Sequence, residues 1–160
     1  MKALTLLQPY ASLMAWSEKR FETRSFKVSY RGELAITASK NWKEEYRDLC
    51  YADPFLSAIK QNIPDGYDFD DKLVLMPVGA VVAVGTLDSI ITSEEWMTRH
   101  ERKMPSYNDQ EMAFGNYQSG RWAWRFVEMR ILRTPVPCRG MQMLWNLPGS
   151  VEAEVRRQLV

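Results

Sequence analysis

Residues 16–25 read Trp16-Ser17-Glu18-Lys19-Arg20-Phe21-Glu22-Thr23-Arg24-Ser25, a stretch that places charges of both signs between apolar residues. The stretch lies where the pattern predicts a passage from a helix to a strand. Glu22 and Arg24 are two residues apart, so on a strand both side chains point to one face while Phe21 and Thr23 point to the other. The stretch therefore predicts a compact polar group against an apolar wall, which is either a reader of a small polar ligand or an internal ion pair.

The composition is typical of a globular domain without a strong overall charge. A chain of 160 residues is long enough to bury a sizeable core, and 46% hydrophobic with 26% charged residues is ordinary for that class. The net charge is +1, so no global positive field attracts nucleic acid or a membrane. We expect one domain over residues 1–160, with any nucleic-acid binding confined to a local patch or a pocket.

Cysteine and histidine are too scarce to predict a metal centre. Cys50 and Cys138 form no C-x-x-C motif, which argues against a disulfide scaffold. His100, the only histidine, sits in a charged segment and is expected at the surface rather than in catalysis. The chain start lacks the apolar core of a signal peptide, and the apolar run 74–84 is too short to span a bilayer. We therefore expect a cytoplasmic protein with no membrane partner, no metal and no cofactor.

The hydrophobic patterns predict strands and helices in a mixed order. Strands are predicted at residues 2–6, 21–24, 33–38, 79–87 and 121–132, and helices at residues 9–18, 42–62 with a break at Pro54, 93–102 and 151–159. Loops are predicted at the acidic segment 63–72, at 103–120, which has room for a short helix around Gln110, and at 138–148. Because the strands do not alternate regularly with helices, the order favours an α+β fold with a small curled or barrel-like sheet and peripheral helices.

Four segments resemble the ASCH domains, a branch of the PUA-like superfamily. They are LLQPYASL (6–13), KRFETR (19–24), YRGELAITASK (30–40), and GRWAW (120–124) followed by PVPCRGMQMLWNL (135–147). The resemblance implies a PUA-like small mixed β-barrel with a cleft lined by the K-x-x-E-x-R segment. Members of this superfamily are mostly linked to RNA, and some relatives recognise modified bases.

The resemblance also implies two enzymatic alternatives. One bacterial branch hydrolyses the acetyl amide of acetylcytidine with a lysine, a threonine and a glutamate. Lys19 matches that lysine, while Glu22 stands where the threonine would be. In such an enzyme Lys19 would activate water or a nucleophile and Glu22 would move a proton. Metal-dependent ribonuclease action is the other alternative. Its metal could be held by Asp65, Asp68, Asp70 and Asp71 of the acidic segment, which we expect to be a solvated loop instead.

The expected ligand site is a cleft near the amino end of the chain. Gln8 offers a donor and an acceptor to a base edge, and Tyr10 offers a ring for stacking. Lys19 can contact phosphate, and the Glu22 carboxylate can accept hydrogen bonds from an exocyclic amine. Arg24 can brace a carboxylate and a turn carbonyl together or contact phosphate, and the bracing role is slightly favoured.

Three further positions complete the expected ligand set. Ser39 and Lys40 follow a strand and would form a polar rim over the cleft. Trp145 lies in a polar loop, where it would either stack on a base or plug the end of the barrel. The stripe of Trp122 and Trp124 is expected in the core more than on a ligand shelf.

Three functions follow from these features. The preferred one is a module that binds RNA, another single-stranded nucleic acid or a modified nucleoside. A small hydrolase acting on acylated cytidine or on RNA is the alternative. The third is a protein-interaction module, which would require the tryptophan-rich strand to form an exposed aromatic patch.

Overall fold

The computed structural model describes residues 1–74, 76–100 and 110–160 of the chain. Within these ranges the strands are β1 (Lys2–Leu6), β2 (Phe21–Arg24), β3 (Gly32–Ala38), β4 (Ala80–Thr92), β5 (Trp122–Pro137) and β6 (Leu144–Asn146). They form one sheet in the order β2-β5-β4-β3-β1-β6. Strands β1 and β3 are parallel and the other neighbouring pairs are antiparallel.

Helices surround this sheet. They are α1 (Tyr10–Ala15), α2 (Glu44–Leu49), α3 (Phe55–Gln61), α4 (Phe69–Val74), α5 (Ser93–His100) and α6 (Gly149–Gln158), together with a helical turn at residues 110–113. Helix α1 packs against the sheet and buries Met14 in the same cluster as Leu4, Ile36 and Trp124. None of the helices in the described ranges has the length and apolar character needed to cross a membrane.

The sheet curls until its β2 edge approaches β1. Three strands separate β2 from β1 in the hydrogen-bonded order, yet the Nη2 of Arg24 on β2 donates to the carbonyl oxygen of Thr5 on β1 at 2.8 Å. The main core cluster fills the concave side of this curl. The structure is thus a half-barrel, and it confirms the predicted α+β fold with a curled mixed sheet and peripheral helices.

Strand β5 is longer than its sequence predicted. Pro135 and Pro137 suggested an end near residue 132, but the strand continues to Pro137. Strand β2 pairs only with residues 122–125 of β5. Beyond that segment, β5 has a strand partner on one side alone among the described residues, and a proline is tolerated where the missing N–H breaks no ladder bond. The same strand buries Trp124 completely and Trp122 partly, as expected for a core stripe.

Two predicted loops contain regular structure. The acidic segment 63–72 leads into α4, and the Asp68 carboxylate accepts hydrogen bonds from the backbone N–H groups of Asp70 and Asp71 at 2.9 and 3.3 Å. Asp68 thus satisfies N–H groups that have no partner inside a helix. The second loop, 138–148, contains β6, which pairs with β1. Both elements are short, which is why propensity and periodicity did not reveal them.

The region after β4 is described only in part. Helix α5 begins at Ser93 as predicted, and the short helix predicted around Gln110 is confirmed by the turn at 110–113. The predicted end of α5 at residue 102 and the connector 103–109 lie outside the described residues. His100 was predicted at the surface, but it is half-buried and stacks on Trp96 with ring centroids 4.5 Å apart.

Candidate functional site

A cleft of about 390 Å³ opens beside the charged residues of β2. The residues that give it its chemistry are Tyr10, Glu22, Arg24, Tyr46, Asn116 and Arg121. They come from α1, β2, α2, the loop before β5 and the residue that precedes β5. Segments far apart in sequence therefore meet at one opening.

The charged residues of β2 share one face, as the spacing predicted. Phe21 and Thr23 are buried, while Glu22 and Arg24 are only partly buried and line the cleft. Antiparallel pairing places Glu22 beside Trp124 and Arg24 beside Trp122, so well-packed residues of β5 hold the strand along its paired edge. The alternation follows directly from the two-residue period of a strand.

One carboxylate lies between two cations at the base of the cleft. Glu22 Oε2 is 3.3 Å from Lys19 Nζ, and Glu22 Oε1 is 3.0 Å from Arg24 Nε. The side chains of Glu22 and Arg24 are 14% and 23% exposed, whereas that of Lys19 is 1% exposed. Lys19, Glu22 and Arg24 therefore form an internal ion-pair network that is also partly accessible from the cleft. A ligand can reach Glu22 and Arg24 but not the ammonium of Lys19.

Lys19 is held from below by the loop before β5. Its Nζ donates to the carbonyl oxygen of Phe114 at 2.6 Å and lies 5.7 Å from the centre of the Tyr10 ring. A buried ammonium without partners would be strongly destabilising, and these contacts supply partners on several sides. Lys19 thus positions Glu22 instead of offering its own charge to phosphate, which corrects the expected direct contact.

Two tyrosine rings form the apolar side of the cleft. Tyr10 and Tyr46 contact each other edge-to-face with centroids 6.2 Å apart, and Tyr10 packs in the same way against Phe55 at 6.0 Å. Burial, with smaller contributions from Tyr46 and Glu22, raises the pKa of Tyr10 to about 12. The Tyr10 hydroxyl is therefore neutral at physiological pH. It can act as a hydrogen-bond donor or acceptor beside the Glu22 carboxylate.

The far rim of the cleft is fastened to β2 by hydrogen bonds. The backbone N–H of Asn116 donates to Thr23 Oγ1 at 2.8 Å, and Arg121 donates to the carbonyl oxygens of Asn116 and Thr23 at 3.0 and 3.2 Å. Gly115 allows this close approach, because a Cβ there would lie 2.8 Å from the Tyr117 ring. The side chain of Asn116 remains exposed at the rim.

A buried carboxyl that the sequence did not single out anchors this loop. Glu111 is fully buried and accepts hydrogen bonds from the backbone N–H groups of Arg20 and Phe21. Burial raises its pKa to about 6, although nearby Lys19 and the two N–H groups act in the opposite direction. Glu111 ties the turn at 110–113 to the start of β2 and so helps to place the Phe114 carbonyl against Lys19. Its position in a polar connector gave no signal of burial.

Gln8 does not open into the cleft. It is fully buried, its Nε2 donates to Ser12 Oγ and to the carbonyl oxygen of Pro77, and its Oε1 accepts from the Ser12 backbone N–H at 3.1 Å. The last bond satisfies one of the free N–H groups in the first turn of α1. The prediction that Gln8 reads a base edge is therefore corrected, because its amide is already used inside the protein.

The remaining predicted ligand residues lie beyond Arg24, on the other side from the cleft. Trp145 is 7% exposed, belongs to a core cluster and donates its Nε1 proton to Thr5 Oγ1 at 3.1 Å. It serves to pack this end of the sheet and is not an open stacking platform. Ser39 and Lys40 line a small hollow together with Arg139. The structure brings Tyr10, Glu22 and Arg24 together in the cleft. It separates them from the other predicted ligand residues, which are Trp145, Ser39 and Lys40.

The architecture matches solved structures of an ASCH protein from Zymomonas mobilis. That structure is 13% identical with a TM-score of 0.55, and the match covers 98% of this chain and 93% of that one. A tyrosine-to-phenylalanine variant of that protein gives the same identity and TM-score, and the match covers 98% of this chain and 96% of the variant. A serine-to-alanine variant is 12% identical with a TM-score of 0.53, and the match covers 98% of this chain and 94% of the variant. The chain has the ASCH fold.

The likeness to the ASCH protein is one of fold over nearly the whole chain, and it bears out the resemblance read from the four sequence segments. No protein-family model matches the sequence, and no curated protein matches it at a significant level.

Among the described residues, His, Cys, Asp and Glu side chains nowhere gather in groups of three that could hold a metal ion.

Proposed function

We propose that this ASCH-fold chain binds single-stranded RNA, or a modified nucleotide, by taking one unpaired base into the cleft beside Glu22. The observation that carries the proposal is the accessible carboxylate between two cations, with two tyrosine rings alongside. The cleft volume of about 390 Å³ lies near the lower end for ligand pockets. That size suits one base better than a large cofactor.

The chemistry of the lining fits the polar edge of a base. The Glu22 carboxylate can accept hydrogen bonds from exocyclic amines or ring N–H groups, and Arg24 can donate to a base carbonyl oxygen. Tyr10 and Tyr46 offer ring surface, and stacking on aromatic side chains is the usual way in which proteins hold unpaired bases. Asn116 at the rim adds both a donor and an acceptor.

The hydrolase alternative has less support. Lys19 would have to reach a substrate or a water molecule, but its ammonium is buried and bound to Phe114 and Glu22. The acetylcytidine and ribonuclease activities remain predictions that no observation here favours. The protein-interaction alternative is weaker still, because Trp124 is buried and Trp122 packs on the core.

Calorimetric titration tests the proposal. Wild-type protein is titrated with short single-stranded RNAs of each base and with a panel of nucleosides that includes acetylcytidine. Glu22→Gln keeps the shape of the side chain but removes a charged acceptor, and we expect it to weaken the best ligand about 10- to 100-fold, since a hydrogen bond to a charged group contributes about 1.5–3 kcal/mol.

The matched control is Glu33→Gln. Glu33 also forms ion pairs with two arginines, Arg130 and Arg156, but it lines neither the cleft nor its neighbouring hollows. We expect Glu33→Gln to bind like the wild type, and both variants to retain the far-ultraviolet circular dichroism of the fold. Equal affinity of the two folded variants would contradict the proposal.

A further inference from the structure

A second hollow continues from the cleft on the other side of Arg24. It has a volume of about 1030 Å³ and lies between the end of β1 and the segment 138–148. Leu6, Leu7 and Arg24 line both hollows, so the two are adjacent and share a wall. We call the second hollow the groove.

The groove has cations along it and no acidic side chain among the described residues that line it. Arg24 and Arg139 are its charged residues. Arg139 also lines a smaller hollow of about 310 Å³ with Ser39 and Lys40, again without a carboxylate. The cations Arg24, Arg139 and Lys40 therefore extend from the cleft along these hollows, with Arg24 paired to Glu22 at the cleft end.

The two outer cations, Arg139 and Lys40, are not neutralised by neighbouring carboxylates of the described residues, whereas several other exposed arginines are. Arg125, Arg130 and Arg157 each contact a carboxylate. Across residues 1–74, 76–100 and 110–160, neither Arg139 nor Lys40 forms an ion pair. Charges left without counterions are available to a polyanion.

Lys40 is held in place although its ammonium is exposed. Its aliphatic chain crosses Gly79, where a Cβ would come within 2.6 Å of Lys40 Cγ. Gly79 also has a φ of +59°, a conformation that glycine adopts at little cost. The backbone at this turn therefore leaves space for the lysine stem beside the small hollow that Lys40 lines with Arg139.

The groove also presents apolar surface at its mouth. Met141 and Met143 are 60% and 58% exposed, although both are large apolar residues. The backbone N–H of Met141 donates to Thr5 Oγ1 at 3.1 Å, which fastens this segment to β1. Methionine is polarisable and flexible, so it can cover bases or sugars of different shape.

We propose that the groove carries the continuation of the same nucleic-acid strand, with its phosphates on Arg139 and Lys40 and its bases against Met141 and Met143. The ligand is then an oligonucleotide and not a free nucleoside. This inference rests on the proposed function of the cleft. The unpaired cations and the absence of lining carboxylates favour a polyanionic strand over a peptide.

The double variant Lys40→Ala with Arg139→Ala tests the inference. Affinity for a short single-stranded RNA is measured as a function of salt concentration. Affinity for the corresponding nucleoside is measured at a single salt concentration. Each phosphate contact on a single strand contributes about 0.7 to the slope of log affinity against log salt. We expect the slope to become shallower by about 1.4, so that the fall in affinity between about 50 and about 200 mM salt shrinks about sevenfold.

The matched control is Lys60→Ala with Arg133→Ala, which removes the same charge from exposed positions outside the cleft and the groove. We expect the control to retain the wild-type slope, and both double variants to bind the nucleoside as the wild type does. A wild-type slope in the Lys40/Arg139 variant, or an equal change in both double variants, would overturn the inference while leaving the cleft proposal intact. Binding of a nucleoside but of no single strand would overturn the inference alone, whereas failure of the wild-type protein to bind either kind of ligand would overturn both.

Discussion

Arg24 Nη2 donates a hydrogen bond to the carbonyl oxygen of Thr5 at 2.8 Å, and the two residues belong to strands separated by three others in the sheet order. The same guanidinium lies 3.0 Å from Glu22 Oε1 through its Nε. One side chain therefore fastens the curled edge of the sheet and holds the carboxylate of the cleft. Fold stability and the geometry of the site are coupled at this residue.

Replacing Arg24 with alanine should destabilise the fold. The variant loses a charged donor to Thr5 and leaves Glu22 with Lys19 as its remaining cation. Because a hydrogen bond from a charged group contributes about 1.5–3 kcal/mol, we expect the free energy of unfolding to fall by that amount in urea denaturation. Arg125→Ala breaks only an exposed pair with Asp88 and should cost less than about 1 kcal/mol. Equal losses in the two variants would show that Arg24 does not fasten the sheet.

Replacing Lys19 with methionine should lower the free energy of unfolding more than Arg24→Ala does. The variant keeps the size of the side chain but leaves the Phe114 carbonyl without its partner and Glu22 without its buried cation. Removing one member of a buried ion pair typically costs about 3–5 kcal/mol, and we expect a loss in that range from urea denaturation.

The double variant Lys19→Met with Glu22→Gln separates the ion pair from simple packing. Once Glu22 is neutral, the missing cation no longer leaves an uncompensated charge, so part of the stability should return. If the two substitutions were strictly additive, the Lys19–Glu22 contact would not be the source of the loss.

The strands that frame the site were predictable because their patterns are local. Alternation at 21–24 fixed the faces of Glu22 and Arg24, and the apolar run from Gly79 predicted a buried strand that became β4. The extension of β5 through its prolines depends on which neighbours pair with each half of the strand. That information is not local, so the strand end was misplaced.

The site itself was predictable only in part. Tyr10, Glu22 and Arg24 could be grouped because they are close in sequence. Tyr46 and Asn116 reach the cleft through long-range packing that no spacing in the sequence reports. The burial of Gln8 and Lys19 depends likewise on distant backbone carbonyls, those of Pro77 and Phe114, which no sequence pattern places.

The stability of the protein should carry a pH dependence from Glu111. Burial raises its pKa from 4.5 to about 6, so the folded state holds this proton more tightly than the unfolded chain. The stabilisation that protonated Glu111 gives the folded state is fully present below the unfolded pKa of 4.5 and is lost as the pH rises through about 6. A shift of this size corresponds to about 2 kcal/mol.

Glu111→Gln isolates this contribution. The free energy of unfolding of the wild type minus that of the variant, measured by urea denaturation, should fall by about 2 kcal/mol as the pH rises from well below 4.5 to well above about 6. Carboxyls with lowered pKa values, such as Glu94 and Asp53, are common to both proteins and cancel in the difference. A flat difference across this range would mean that Glu111 is not a buried carboxyl of raised pKa.

The most direct test of the account is an amide chemical-shift map of the ¹⁵N-labelled protein during titration with a short single-stranded RNA. We expect the largest shifts on the lining of the cleft, at Tyr10, Glu22, Tyr46 and Asn116, and we expect Glu22→Gln to need about 10- to 100-fold more RNA to produce them. Shifts confined to other surfaces, or a spectrum that RNA leaves unchanged, would contradict the claim that this cleft holds a base.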